Sequence, residues 1–578
     1  MIRSWSIITA IIGYCRRDSR RPSTRTTPPT RAIISNRVSS SRGRDDRMNT
    51  EAFKMFKSIV GAENVSQDPA VLDSYTYQWM GEMTGDTTRF GPYRPVCVAL
   101  PSSTEEVQAI VRACNRFGLK VKAFSTGWGL YSAPGGEGVV QLDLRRMNRL
   151  IEINERDMYA LVEPYVIWAQ LQAEAMRKGL NCVTIGAGSS TSALANCTSV
   201  MGVANNNVSM GYNERNVLGV EWVLPDGEIL RLGAPGSGNS WISGDGPGPS
   251  LRGVMRGAFG ALGGMGVFTK CAVRLYQWGG PAELESVNIL SMDERIVDYP
   301  ENVKLIAPYF NDRTSLEQAV AKIGESEIAY SVGLLERGLL TLGLGKTNAE
   351  SAEMRENLHP VIPKHIFTVL LVANSRSELM FQAKTIDAIL QETGGKPFEM
   401  VEQENFRDII TLLLVKGGSV PARGVFSPTG SFSPILCGFF ATRGTLVKAM
   451  DDSEEIKRKH IESGLLGDDM GEGGWGPLIL DHGHSEYFEN ETLFDPQVPD
   501  SIQALVDVTT ETNESLAKKK LIIPFLSQVK VARAQKKSAH DTIAPHMNTD
   551  YRHLQRKFKQ VFDPNDTADS CNYIDAGK

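Results

Sequence analysis

Three glycine-rich segments lie in the first half of the chain, and each carries residue types that can hold phosphate or planar polar groups. The first, Phe124–Gly136 (FSTGWGLYSAPGG), runs out of a predicted strand into Ser125, Thr126, Gly127, Trp128, Gly129 and Leu130. Small residues let backbone N–H groups close on a pyrophosphate, and the two hydroxyls add donors. No Gly-Lys-Ser/Thr follows, so this is not a Walker loop, and the spacing is not a Rossmann fingerprint. The second segment, Ile185–Cys197 (IGAGSSTSALANC), sets Gly188, Ser189 and Asn196 around a predicted helix start, where phosphate or ribose oxygens meet N–H donors. In the third, glycines at 257, 260, 263, 264 and 266 precede the alternating run VFTKCAVRLY. Around Gly266 and Val267 the backbone lacks side chains and can lie flat against a planar ligand. Singly, each loop reads equally well as a turn, a surface loop or a linker.

Further along, His482, His484 and Glu486 alternate within LDHGHSEYF. In a strand, a period of two places all three on one face. Two imidazoles and a carboxylate there suit a divalent metal, or a base with its orienting acid. A solvated strand face is the plain alternative. His546, Asp550, Tyr551 and Arg552 cluster near the last predicted helix. Trp475 and Tyr487 suit a pocket wall or ordinary core. Gly471–Gly476 suits a lid or a simple loop.

The elements that must position these residues are legible from Pro95 onward. Val96–Pro101 reads as a strand. The following segment reads as a helix capped by Ser103 or Thr104, acidic in its first turn and ended by Gly118. Val107, Ile110, Val111 and Cys114 recur at helical spacing. Leu119–Ser125 and Val139–Leu144 read as strands, and Val166–Lys178 as a helix stopped by Gly179. Val217–Gly233 reads as a hairpin turned at Pro225-Asp226-Gly227. Between 282 and 540 the pattern becomes strand–helix–strand twice. His365–Ala373 leads to a helix capped by Ser375 or Ser377 that ends at Gly394–Gly395. Ser431–Phe440 leads to a helix over 446–463, and Trp475–Phe488 closes the unit. Met547–Phe562 reads as a charged final helix.

Composition bounds the function class. A chain of 578 residues, 41% hydrophobic and 22% charged, can bury a large core in two or three domains. A net charge of -5 argues against general nucleic-acid binding. The 8 cysteines stand singly with no CxxC, which excludes zinc ribbons and dithiol motifs and leaves no run to hold an iron–sulfur cluster. No apolar run reaches the roughly 20 residues of a membrane-spanning helix. Residues 1–47 are rich in Arg and Ser and lack Lys, as in a transit peptide or a disordered leader. The expected location is cytoplasmic, or mitochondrial if that leader is a transit peptide.

The ordered succession RPVCVALPSSTEEVQAIV, the Ser125–Gly129 loop, VVQLDLRRMNRLIEIN, LVEPYVIWAQLQ, GSSTSALAN, VLGVEWVLPDGEILRLG and GALGGMGVFT resembles the vanillyl-alcohol oxidase and p-cresol methylhydroxylase superfamily, which includes FAD-linked D-lactate and glycolate dehydrogenases. The resemblance covers about 95–281. It implies an α+β fold: an FAD-binding domain of two α+β subdomains over 48–281, and an α+β cap, the substrate domain, over 282–540. A segment over 541–578 would return to the FAD domain. It implies FAD as cofactor. Ser125 to Leu130 would hold the pyrophosphate, Gly188, Ser189 and Asn196 would line the ribityl and phosphate path, and Gly266 and Val267 would meet the flavin or adenine end. Tyr165 departs from the family's glycine, the second loop lacks the usual double glycine, and the first loop has no histidine for covalent attachment.

The implied activity is hydride removal from a CH–OH group of a hydroxy acid or aromatic alcohol to the flavin, with His482 or His484 taking the hydroxyl proton. Electrons would pass to oxygen, a quinone or an electron-transfer partner, an iron–sulfur protein being one choice. A homo- or hetero-oligomer is expected. The alternatives are phenol oxidation through a quinone methide, for which Tyr551 and Arg552 would bind the phenolate, flavin-dependent C=C reduction, and a non-catalytic docking subunit.

Overall fold

Helices and short strands follow one another from the first described residues, and several of the helices carry side-chain caps. The computed structural model describes residues 50–77, 93–127, 132–183, 188–199, 202–233, 261, 264–288, 294–335, 337, 353–354, 356–357, 359–360, 362–417, 431–434, 438–441, 444–468, 474–495, 497–521 and 549–569. Of 431–434, 438–441, 474–478 and 549–552 only the backbone is described.

The first layer comprises α1 (Thr50–Val60), β1 (Val65–Ser66), α2 (Pro69–Ser74), β2 (Cys97–Ala99), α3 (Thr104–Phe117), β3 (Lys120–Phe124) and β4 (Val139–Asp143). Its sheet has the order β1-β2-β4-β3, with β4 parallel to both β2 and β3. A parallel strand between two neighbours is covered on both faces, and all of β4 is buried, Gln141 and Asp143 included. Ser103 caps α3 by accepting from the Glu106 N–H, and Gly118 ends it at φ 65. The apolar face of α3, Val107, Ile110, Val111 and Cys114, packs into this layer's core.

The second layer is an antiparallel sheet. Its strands are β5 (Leu150–Asn154), β6 (Tyr159–Val162), β8 (Val217–Val223), β9 (Ile229–Leu232) and β10 (Val267–Arg274), in the order β5-β6-β10-β8-β9. Between β6 and β8 come α4 (Trp168–Met176), β7 (Leu180–Asn181), α5 (Ala193–Thr198) and α6 (Asn207–Met210); β11 (Tyr276–Gln277) pairs with β7. The β8–β9 hairpin turns at the expected Pro225-Asp226-Gly227. Two side chains of α3 hold that turn: Gln108 Nε2 donates to Gly227 O at 2.7 Å and Asn115 Nδ2 to Pro225 O at 2.7 Å.

Glu221 bolts the two layers together. Its carboxylate accepts from Thr104 of α3 at 2.6 Å, Lys270 of β10 at 2.7 Å and Arg231 of β9 at 2.9 Å. Burial alone would raise its pKa, but the donors outweigh it and pull the carboxyl down to about 2. The bolt contributes stability that is present above the ordinary value of 4.5 and is lost as pH falls to about 2.

Beyond a two-strand ribbon, β12 (Ser286–Val287) with β13 (Arg295–Ile296), a third sheet joins β14 (Val303–Ile306), β15 (Pro308–Tyr309), β16 (Ser331–Leu335), β17 (Ile366–Val372) and β18 (Lys396–Pro397). Helices α7 (Arg313–Glu325) and α8 (Arg376–Thr393) place Leu316, Val320, Ile323, Ile386 and Leu390 with Phe367, Val369 and Leu371 of β17 in one core. Ser375 caps α8. After α9 (Glu404–Lys416) come β19 (Ser431–Pro434) and β20 (Gly438–Ala441), two strands where one was expected. Then follow α10 (Thr445–Ile461), β21 (Gly474–Leu480), β22 (Ser485–Phe494), α11 (Pro499–Lys518) and the final α12 (Thr549–Phe562). The run Trp475–Phe488, expected as one strand, is instead a hairpin. Asp481, His482 and Gly483 take φ of 48, 57 and 95, which breaks the strand. Among the described residues no helix is long and apolar enough to cross a membrane.

At Gly266, φ is 106 and an added Cβ would lie 2.3 Å from Val223 O. Gly266→Ala is expected to destabilise by about 3 kcal/mol. A lowered urea midpoint checks it.

Candidate active site

Strand β3 delivers Ser125, Thr126 and Gly127 to its carboxyl end. Gly127 sits at φ 72, and a Cβ there would meet the Phe124 ring at 2.5 Å, so only glycine turns the chain here. The Phe124 ring is held edge-on by Tyr75, 5.0 Å between centroids. Tyr75 donates to buried Asp143 at 2.5 Å, and Asp143 also accepts from Arg145 at 2.5 Å. Burial first, then the Asp143 carboxylate, pushes the Tyr75 phenol up, which keeps it a neutral donor. Trp128, Gly129 and Leu130 lie outside the described residues.

The second loop closes on α5. Thr191 bonds Gly188 O through both its N–H, at 2.8 Å, and its hydroxyl, at 2.6 Å. Ser189 O accepts from Ala169 N at 2.9 Å, which fixes the loop to α4. The Asn196 amide donates to Thr191 Oγ1 and Ser192 O at 2.9 and 2.7 Å. Gly188, Ser189 and Asn196 are thus gathered at one turn, and the Asn196 NH2 braces that turn. At Gly266 the missing side chain makes room for Val223 O and the Trp222 indole, so this glycine serves the close β8–β10 contact. Val267 is buried opposite Val223.

A third group of residues was not anticipated. From Asn205 to Asn216 the chain is polar yet enclosed: Asn206, Asn207, Asn213, Glu214 and Asn216 are each at most 1% exposed. Most are tied to backbone. Asn207 Oδ1 accepts from Ala204 N at 2.6 Å, Asn206 Nδ2 donates to Cys182 O at 3.1 Å, and Asn216 Nδ2 donates to Met210 O and Tyr212 O, each at 3.2 Å. By contrast, both polar atoms of the Asn213 amide and both Glu214 carboxyl oxygens are buried without a hydrogen-bond partner. Burial drives the Glu214 pKa well above 4.5. The signal was present in the sequence as NNN and NERN, set between a small-residue loop and an apolar hairpin.

This polar stretch meets the β21–β22 turn. Arg215 pairs with Asp481, and an added Cβ on Gly211 would lie 2.5 Å from Asp481 Oδ1. His482 therefore sits at the contact between the polar stretch and the later sheets, in a left-handed turn, with its Nδ1 buried and without a partner. The expected shared face of His482, His484 and Glu486 does not form. His482 and His484 lie in the turn, His484 is exposed, and only Glu486 lies in β22, buried beside Arg313, Leu316 and Met450. Among the described residues no group of three or more His, Cys, Asp or Glu is gathered as a metal site requires. His546 and the side chains of Tyr551 and Arg552 lie outside the described residues.

The glycine turn at Gly127 and the buried, unbonded polar atoms of Asn213 and Glu214 are features that a bound polar ligand would use, whereas the Thr191 and Ser192 hydroxyls are already bonded within the second loop. Residues 95–233 match the family model described as "FAD binding domain". This segment is an FAD-binding domain of the p-cresol methylhydroxylase type. The chain is 31% identical to an uncharacterized FAD-linked oxidoreductase of Mycobacterium tuberculosis, over 32% of this chain and 39% of that one. It is 32% identical to a probable mitochondrial D-lactate dehydrogenase of Danio rerio, over 38% of this chain and 41% of that one. The match thus spans about two fifths of these relatives' length. The crystal structure of p-cresol methylhydroxylase with substrate bound superposes with a TM-score of 0.71 at 18% identity, covering 91% of this chain and 97% of that one, which shows a shared α+β fold.

Two outcomes are expected. Ser125→Ala with Thr126→Val should weaken FAD binding about tenfold, read by flavin fluorescence titration. For Glu214, the raised folded-state pKa means that its contribution to stability is full below the ordinary 4.5 and is lost as pH rises through the raised value. Glu214→Gln should therefore gain stability over the native protein as pH rises above 4.5. Urea unfolding at a series of pH values measures it, and a gain that does not change with pH would contradict it.

Proposed function

We propose that the protein is an FAD-dependent oxidoreductase that oxidises a CH–OH group of a small molecule, a hydroxy acid or an aromatic alcohol. The FAD-binding segment supports the redox class. The observation that carries the choice of donor is the turn of His482, which sets a histidine with a buried, partnerless ring nitrogen at the polar stretch that follows the second loop. Oxidising an alcohol requires a proton acceptor as well as a hydride acceptor. Bound FAD supplies the hydride acceptor; the chain must supply the rest.

In this reading residues 282–540 form a cap, and substrate binds between it and the FAD-binding domain. His482 accepts the hydroxyl proton as the C–H bond breaks. The Arg215–Asp481 pair holds the turn and so aims the ring. Positive φ at Asp481 and His482 costs energy that a plain hairpin would avoid, and such strain gathers at functional sites. Asn213 and Glu214 offer neutral hydrogen bonds and exclude water. Electrons then leave to oxygen, a quinone or a partner protein, since the scattered cysteines provide no cluster within this chain.

Anaerobic mixing with D-hydroxy acids, benzylic alcohols and phenols tests the proposal. Loss of visible flavin absorbance with the hydroxy acids or the alcohols is expected. Bleaching by phenols alone would favour the quinone methide route, and a colourless protein that takes up no FAD would favour a docking subunit. His482→Asn should lower the rate of bleaching by about 100-fold and leave FAD binding intact.

A further inference from the structure

We infer that the carboxyl-terminal segment 559–569 latches two of the glycine-rich arms of the FAD-binding domain, and that Asp569 and Lys559 are positioning residues for cofactor retention. This rests on the reading that the Ser125–Gly136 loop holds FAD.

One end of the latch is a buried ammonium. Lys559 is 0% exposed. Its Nζ donates to Gly264 O at 2.7 Å, Asp563 Oδ2 at 2.5 Å and Ala568 O at 2.8 Å, which uses all three of its protons. A charge withdrawn from water is strongly unfavourable unless paired and fully bonded, so Gly264 cannot move away without exposing or orphaning that charge. The neighbouring residue is held as well: Met265 O accepts from the Trp222 indole at 2.8 Å, and Phe562 of α12 stacks on Trp222 at 5.8 Å between centroids.

The other end grips the first loop. Asp563 accepts from the N–H groups of Thr567 and Ala568 at 2.7 and 2.9 Å and turns the chain back. Thr567 O then accepts from Val121 N at 2.7 Å, and Asp569 N donates to Val121 O at 2.9 Å. The segment thereby adds a parallel bridge to the open edge of β3, the strand that leads to Ser125. Asp569 Oδ2 accepts from Gly135 N, on the returning arm of the same loop, at 2.7 Å. Lys122 of β3 lies 3.6 Å from that oxygen, with both side chains at most 6% exposed. One acidic side chain thus ties the strand entering the loop to the arm leaving it. Lys120 pairs with Asp566 at 2.8 Å, half-exposed, and joins the tail to β3 without touching a glycine arm.

The full-length protein is tested as Asp569→Ala, Asp569→Asn and Lys120→Met, with two readouts: FAD dissociation constant by flavin fluorescence, and hydrogen exchange of amides 132–136 measured without FAD. Asp569→Ala should raise the dissociation constant about tenfold and speed exchange at Gly135. Asp569→Asn keeps an acceptor for Gly135 and should lose about threefold, which carries the test alone if the alanine variant does not fold. Lys120→Met should change neither readout. Equal loss of FAD affinity in Asp569→Ala and Lys120→Met, or unchanged exchange at Gly135 in the Asp569 variants, would overturn the latch. Undiminished FAD binding by the Ser125/Thr126 variant would overturn the loop reading instead, and the exchange readout would still decide the latch.

Discussion

The Glu221 carboxylate is the contact on which the FAD-binding domain depends. It lies on a central strand of the antiparallel sheet and reaches Thr104 at the start of α3, in the other layer. Two cations on its own sheet, Lys270 and Arg231, keep it ionised despite its burial. Moving the layers apart would take the Thr104 donor from a buried carboxylate oxygen, and leaving such a group short of a hydrogen bond is costly, so the two layers are held in one relation. Apolar packing of Val223, Val267 and Ile229 into the first layer's core reinforces it. The loops that would share a cofactor come from opposite layers: Ser125–Gly127 from the parallel sheet, and Gly188–Ser192 and residues 264–266 from the antiparallel one. A contact that sets the layers also sets the distance between those loops.

A second constraint acts where the FAD-binding domain meets the later sheets. Burying Asn206, Asn207, Asn213, Glu214 and Asn216 together is unfavourable unless their bonds are made. Backbone partners satisfy most of them. Asn213 and Glu214 are left over, beside a turn whose backbone is itself strained. Unsatisfied groups and strain in one place are what a stability-optimised core avoids and a binding site retains. The parallel argument at the other end of the domain concerns Lys559, where full satisfaction gives rigidity in place of reactivity.

Much of the first half was legible because its signals are local. Ser103, the acidic first turn and Gly118 mark α3 whatever surrounds them, and Pro225-Asp226-Gly227 turns the β8–β9 hairpin by its own backbone preferences. Trp475–Phe488 departs from a single strand for a physical reason. Alternation along a sequence marks a strand face only while φ stays negative, and Asp481 and His482 adopt left-handed φ that nothing in their residue types demands. Arg215, more than 260 positions away, holds Asp481 there. The polar stretch 205–216 was overlooked because asparagine and glutamate in sequence read as surface.

The chain's residues alone determine the order of glycine loops, caps and hairpin that makes an FAD-binding domain, since each is a short-range preference of backbone and side chain. Tertiary structure decides which polar residues are withdrawn from water. It places Glu214 without a partner, turns His482 away from Glu486, and encloses Lys559 among three oxygens that converge from positions 264, 563 and 568. Burial and partnership are properties of the folded whole, and these two properties set what a titratable group can do.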